Sequence, residues 1–201
     1  MNYLFIRPFI KDDYLARLCY ESWILSGYEG KVIMYAEEPF NKKNERVEYN
    51  WIKGIGEYIE RKETNNFGGQ MGAWSLIMGL RNFTYKDDDI IISCDADIII
   101  KDNPLNIFAK DFGGKGGVNH RNGIWHISGQ CMIMRGWVVN KIISIEEDKY
   151  QMSWGDLEGN GSSICDDTYF SYIAEKNGAK FQVFPNNWVH DKPYHLEPRT
   201  D

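Results

Sequence analysis

Two aspartates separated by a single residue, Asp95 and Asp97, interrupt the most apolar stretch of this 201-residue chain, Asp89 to Ile100 (DIIISCDADIII). Residues two apart on a strand project from one face. Both carboxylates are therefore expected to point together, with Ile90 to Ile92 and Ile98 to Ile100 anchoring the strand in a core. Like charges crowded at the edge of an apolar region repel and lose hydration, at a cost of several kcal/mol per uncompensated ion. A divalent cation removes that repulsion, and Mg²⁺ or Mn²⁺ suits carboxylate oxygens while leaving positions open for phosphate. Two carboxylates at the end of a buried strand are what a metal-diphosphate site requires. The competing reading has Asp95 begin a turn while Asp97 pairs with a nearby Lys or Arg.

The elements that must position these acids lie on either side. Tyr3 to Ile6 is a short buried strand stopped by Arg7-Pro8. Tyr14, Leu15, Leu18, Ser22, Trp23 and Leu25 recur at helical spacing, Gly27 stops that helix, and Lys31 to Ala36 is a second strand. Strand, helix and strand in so short a span predict a parallel βαβ crossover. Glu57 to Arg61 is a weaker strand, and Gln70 to Phe83 has helical periodicity despite two internal glycines. Beyond the acidic strand, Leu105 to Phe108 forms a short helix, and Gly113 to Gly117 is a flexible link to a strand near Val118. Trp125 to Arg135 is a further strand and Val138 to Ile145 a helix or strand. Gly155 to Ser163 reads as a Gly-rich loop and a candidate lid. Asp166 and Asp167 open a helix running to about Lys176, Lys180 to Phe184 is a last strand, and Pro185 to Asp201 is a polar tail.

Composition bounds the class. Hydrophobic residues make up 43% and charged residues 26%, and there is no internal repeat, so one domain with a substantial core is expected. The net charge of -6 argues against a non-specific nucleic-acid binder and gives no affinity for anionic membranes. No run approaches the ~20 apolar residues of a membrane helix. The apolar N-terminal stretch is too short for a signal peptide. The cysteines Cys19, Cys94, Cys131 and Cys165 form no C-x-x-C pair, which excludes a zinc ribbon and points to reduced thiols in a cytoplasmic protein.

The segment Ile91-Ile92-Ser93-Cys94-Asp95-Ala96-Asp97-Ile98-Ile99 resembles the D-x-D strand of GT-A fold glycosyltransferases. The N-terminal βαβ start, the helix just before the acids and Pro104 shortly after them agree with it. Ser128 to Arg135 is similar to that family's small-residue acceptor-side strand, and Asp166-Asp167 resembles the acidic pair near its acceptor. The resemblance implies an α/β chain forming a single GT-A-like (Rossmann-like) domain, its central mostly parallel sheet flanked by helices. A nucleotide-sugar half would span about residues 1–104 and an acceptor half about 105–201. It further implies a Mn²⁺ or Mg²⁺ ion on Asp95, Asp97 and, as in the glycogenin-like branch, a C-terminal histidine. His190 matches that ligand and Lys192-Pro193-Tyr194 the basic end that contacts the diphosphate; His195 is a weaker substitute.

The implied reaction moves a sugar from a nucleoside-diphosphate sugar, UDP-linked by preference, to a hydroxyl on a glycan, protein or small molecule. Arg7 would sit at the carboxyl edge of the sheet among the base contacts, and Gln70 would donate to ribose or phosphate. Asp167, or Asp166, would take the acceptor's proton in an inverting transfer. Gln130 would face the sugar in a retaining one. Helix capping is the plainer role for either acid. Trp154 and Trp188 are candidates to stack on sugar rings, whereas Trp23, Trp74 and Trp137 sit in periodic apolar segments and are assigned to the core. The alternatives are a metal-dependent carbohydrate-binding module and a D-x-D phosphohydrolase. The latter normally carries its motif on the first strand followed by Gly-Thr, whereas Ile98-Ile99 follow here. A sugar nucleotidylyltransferase would need an N-terminal Gly-rich loop where Arg7-Pro8-Phe9 stands.

Overall fold

The structure, a computed structural model, describes residues 1–7, 13–36, 56–60, 70–119, 124–159, 166–185 and 189–191. In chain order these form β1 (Asn2–Arg7), α1 (Asp13–Leu25), β2 (Lys31–Ala36), β3 (Gly56–Glu60), α2 (Gln70–Leu80), β4 (Ile90–Asp95) and β5 (Ile98–Ile100). A 3₁₀ turn at Pro104–Asn106 leads to β6 (Phe112–Asn119), β7 (Ile124–Arg135), α3 (Gly136–Ile143), α4 (Glu147–Gly159), α5 (Asp166–Lys176), β8 (Phe181–Val183) and β9 (Val189–Asp191). Seven of the described strands make one sheet in the order β3-β2-β1-β4-β7-β6-β8. Every strand but β7 runs the same way, because β7 is antiparallel to both β4 and β6. The mostly parallel α/β sheet expected from the sequence is therefore present.

Central parallel strands are covered on both faces and read as unbroken apolar runs. Alternate residues sort them here into two cores. Tyr3, Phe5, Ile33, Tyr35, Ile91, Met132 and Met134 pack with the buried residues of α2, α3 and α5. Leu4, Ile6, Val32, Met34, Ile92, Cys94, Cys131 and Ile133 pack with Ala16, Cys19 and Trp23 of α1. Gly79, one of the two glycines inside α2, has a packing reason: a Cβ there would fall 2.6 Å from the Tyr35 ring. Trp23 is fully buried, and Trp74 and Trp137 pack partly buried against the core, as their periodic setting implied. No helix among the described residues is long and apolar enough to cross a membrane.

Four local expectations need correction. Asp89 to Ile100 is not one strand: β4 stops at Asp95, Ala96 and Asp97 turn, and Ile98–Ile100 pairs with Val189–Asp191 in a separate ladder. The second isoleucine triplet is buried against α1 instead, where the Ile100 amide donates to Ser22 Oγ at 3.0 Å. The polar tail thus contains a strand. Gly113 to Gly117 lies within β6 and is not a flexible link; Gly114 admits the close approach of β7 described below. Gly155 to Gly159 belongs to α4, so the lid reading fails over that stretch, while residues 160–163 lie outside the described ones. Tertiary packing overrides the glycines there. Tyr150 is buried between Trp74 and Tyr169, at ring-centroid distances of 4.9 and 4.8 Å, and Ser153 Oγ bonds Tyr169 Oη at 2.8 Å.

Candidate functional site

The acids stand where the sheet ends. β4 delivers Asp95 at its last residue, and the parallel register sets Arg7, the last residue of β1, directly beside it. Arg7 Nη2 meets Asp95 Oδ1 at 2.7 Å, with side-chain exposures of 8% and 23%. The same nitrogen donates to the carbonyl of Gly129 on β7. Asp97 follows in the turn, half-buried. The pairing of β4 with β7 runs to Cys94 opposite Cys131, which brings Gln130 next to Asp95 at the edge.

β7 is irregular at this point. Its register against β6 jumps between Gly114, opposite Met132, and Gly116, opposite Ile127. The run Ser128 to Cys131 therefore faces Lys115 alone. Such bulges re-aim side chains and concentrate beside active sites. Gly114 makes this one possible, since a Cβ would fall 2.3 Å from the Cys131 carbonyl oxygen. The bulge is held from the other side by α5. The Gly129 amide donates to Asp167 Oδ2 at 3.0 Å and the Ile127 amide to Ser171 Oγ at 3.1 Å. Asp167 and Ser171 lie one helical turn apart and share a face, matching two amides that lie two residues apart on β7. Asp167 Oδ1 also accepts from the amide of Thr168 at 2.7 Å. The backbone of the single residue Gly129 thus joins Arg7 and Asp95, through its carbonyl, to Asp167, through its N–H.

Beneath Asp95 lies a cluster of buried thiols. Cys19 Sγ stands 3.8 Å from Cys94 Sγ, and both approach the Asp95 carbonyl oxygen. Burial, followed by contact with Cys94, pushes the Cys19 and Cys131 thiols well above the usual range. All three cysteines pack as small side chains in the α1-side core.

The expected site residues divide into three groups. β1, β4, β7 and α5 bring Arg7, Asp95, Gln130 and Asp167 to the carboxyl edge, and Asp97 follows in the turn beyond β4. For four others the backbone alone is informative. Gln70 and Asp166 begin α2 and α5, Trp154 lies within α4, and His190 on β9 is paired with Ile99, two residues beyond Asp97. Trp188 and Lys192, with His195, lie outside the described residues. Sequence reasoning missed Gly129 and Ser171. Gly129 acts through its backbone N–H and C=O, which leave no side-chain signature, and Ser171 shows its role only once α5 is docked.

Comparison with solved structures finds the same fold. The chain superposes on the galactosyltransferase LgtC, solved in complex with donor and acceptor sugar analogs, with a TM-score of 0.55. Sequence identity is 12%, over 89% of this chain and 71% of that one. An active-site mutant of LgtC gives a TM-score of 0.56 at 11% identity, covering 86% and 70%. This is a GT-A-like fold. No family model and no curated protein sequence matches the chain. Within the GT-A-like fold the Arg7/Asp95 pair sits at the carboxyl ends of parallel strands, the edge at which open α/β sheets bind ligands.

Proposed function

We propose that this chain transfers a glycosyl group from a nucleoside-diphosphate sugar, UDP-linked by preference, to an acceptor hydroxyl, assisted by Mn²⁺ or Mg²⁺. The observation that carries the reading is the convergence of Asp95, Asp97, Gln130 and Asp167 at one sheet edge in a fold shared with a galactosyltransferase. Asp95, Asp97 and His190 would hold the cation. Two carboxylates and an imidazole are a donor set that Mn²⁺ accepts, and the β5/β9 ladder runs His190 alongside the strand that follows Asp97. Among the described side chains no three His, Cys, Asp or Glu converge on a metal, so the third ligand rests on His190. When bound, the ion neutralises the diphosphate as it leaves.

The remaining steps belong to the chain itself. Gln130, carried on the bulge, is available to hydrogen-bond the transferred sugar. Asp167, oriented by the amides of Gly129 and Thr168, accepts the acceptor's proton as its oxygen attacks the anomeric carbon in an inverting transfer. If configuration is retained, Gln130 faces the reacting side of the sugar and no protein base is needed. Trp154, Trp188 and Lys192 complete the proposed sugar and diphosphate contacts, with Gln70 on the ribose side.

The test begins with a thermal-shift screen of nucleoside diphosphates and nucleotide sugars with and without Mn²⁺. It is followed by an assay for slow release of nucleoside diphosphate from the stabilising donor. Release is expected; stabilisation by sugars with no release from any donor would identify a binding module instead. Asp95→Ala and Asp97→Ala should each abolish calorimetric binding of UDP with Mn²⁺ in a folded protein, and unchanged affinity in both would sink the metal assignment.

A further inference from the structure

Arg7 is 7% exposed, and a guanidinium withdrawn from water is costly unless fixed partners compensate it. Two of its partners are the Asp95 carboxylate at 2.7 Å and the Gly129 carbonyl. The in-register pairing of β1 with β4 makes this contact a property of the sheet rather than of a mobile side chain. A surface arginine reading a nucleotide base needs reach, whereas this one is committed below the edge. Metal-ligating carboxylates are themselves commonly held by a neighbouring donor, and loss of that donor weakens metal binding without removing a ligand. One nitrogen, Nη2, makes both contacts, and its two N–H bonds are fixed in the guanidinium plane, whereas the ammonium of lysine rotates freely on a flexible stem.

We infer that Arg7 is a positioning residue: it orients Asp95 for the divalent cation and ties that carboxylate to the Gly129–Gln130 bulge. The two halves of the site, donor side on β4 and acceptor side on β7, are thereby set by one side chain at the end of β1. The inference rests on the metal-assisted reading above.

Titrating MnCl₂ into the protein at fixed pH, followed by the electron paramagnetic resonance signal of free Mn²⁺, tests it without any turnover. Arg7→Gln should weaken Mn²⁺ binding by about 10- to 100-fold, and Arg7→Lys should recover part of the loss. In an Asp95→Asn background, Arg7→Gln should have no further effect, since Arg7 acts through Asp95; a general structural role would weaken binding again. Should Arg7→Gln fail to fold, Arg7→Lys decides: weakening by several-fold supports the inference, and wild-type affinity overturns it. Wild-type affinity in a folded Arg7→Gln, or an equal further loss in the Asp95→Asn background, also overturns it. Absence of Mn²⁺ binding by the wild type would instead remove the metal reading and this inference with it.

Discussion

Asp167 is asked to do two things, and single substitutions separate them. Its Oδ2 accepts the Gly129 amide and its Oδ1 the Thr168 amide. Truncation to alanine leaves the Gly129 amide without that acceptor, at about 1–3 kcal/mol. Asp167→Ala should therefore lower stability in urea as well as activity. Asparagine keeps a carbonyl oxygen for Gly129 and loses the capacity to take a proton. Asp167→Asn, in which only the Thr168 amide loses its acceptor, should be less destabilised than Asp167→Ala and still bind UDP with Mn²⁺, while turnover falls by roughly 10²- to 10⁴-fold; turnover at the wild-type rate would remove Asp167 as the base. The same reasoning sets a stability cost on Arg7. Removing one partner of a buried ion pair costs about 3–5 kcal/mol, and the Asp95 side chain, 23% exposed, recovers some of that from solvent.

At the scale of elements, the bulge on β7 depends on what β6 omits. Gly114 has φ 156, and a Cβ on it would fall 2.3 Å from the Cys131 carbonyl oxygen. A methyl group at that point meets backbone, not a flexible side-chain end. Gly114→Ala should destabilise the protein by about 1–3 kcal/mol in urea unfolding and weaken donor binding through Gln130; wild-type values for both would show that β7 bends without β6. This dependence marks the limit of what the sequence conveys. The core strands were legible because strands buried on both faces must be apolar throughout, α1 and α2 because their apolar residues recur at helical spacing, and α5 because Asp166 and Asp167 mark its start. Asp95 and Asp97 were legible as a motif, yet not as the point where the chain leaves the sheet. An isoleucine triplet reads the same whether it continues β4 or turns to cover α1. The glycines of β6 and α4 misled for a related reason. Local propensity cannot report that a strand needs a close approach, or that Tyr150 docks its helix between two rings.

Over the whole molecule, the two faces of the sheet carry separate cores that share every central strand, so they should unfold together. Buried phenols offer a probe of both. Tyr28 lies in the α1-side core and Tyr85 in the opposite one, and Tyr169 joins α5 to α4 through Ser153. Burial pushes Tyr169 up to about 12, and it raises Tyr28 and Tyr85 further still, the latter also through Tyr3. Because the folded state raises these values above the unfolded one of about 10, it favours the neutral phenol. That contribution is intact below pH 10 and is lost as pH rises through the folded values. Above about pH 10 the unfolded chain ionises these tyrosines and the folded one resists, so stability must fall. An alkaline titration followed at once by tyrosinate absorbance and circular dichroism should show two phases. Exposed members of the 12 tyrosines should ionise first with the fold intact, and a later step should coincide with loss of both secondary and tertiary signals. Complete ionisation near pH 10 with an unchanged circular dichroism spectrum would mean that neither core excludes water as described.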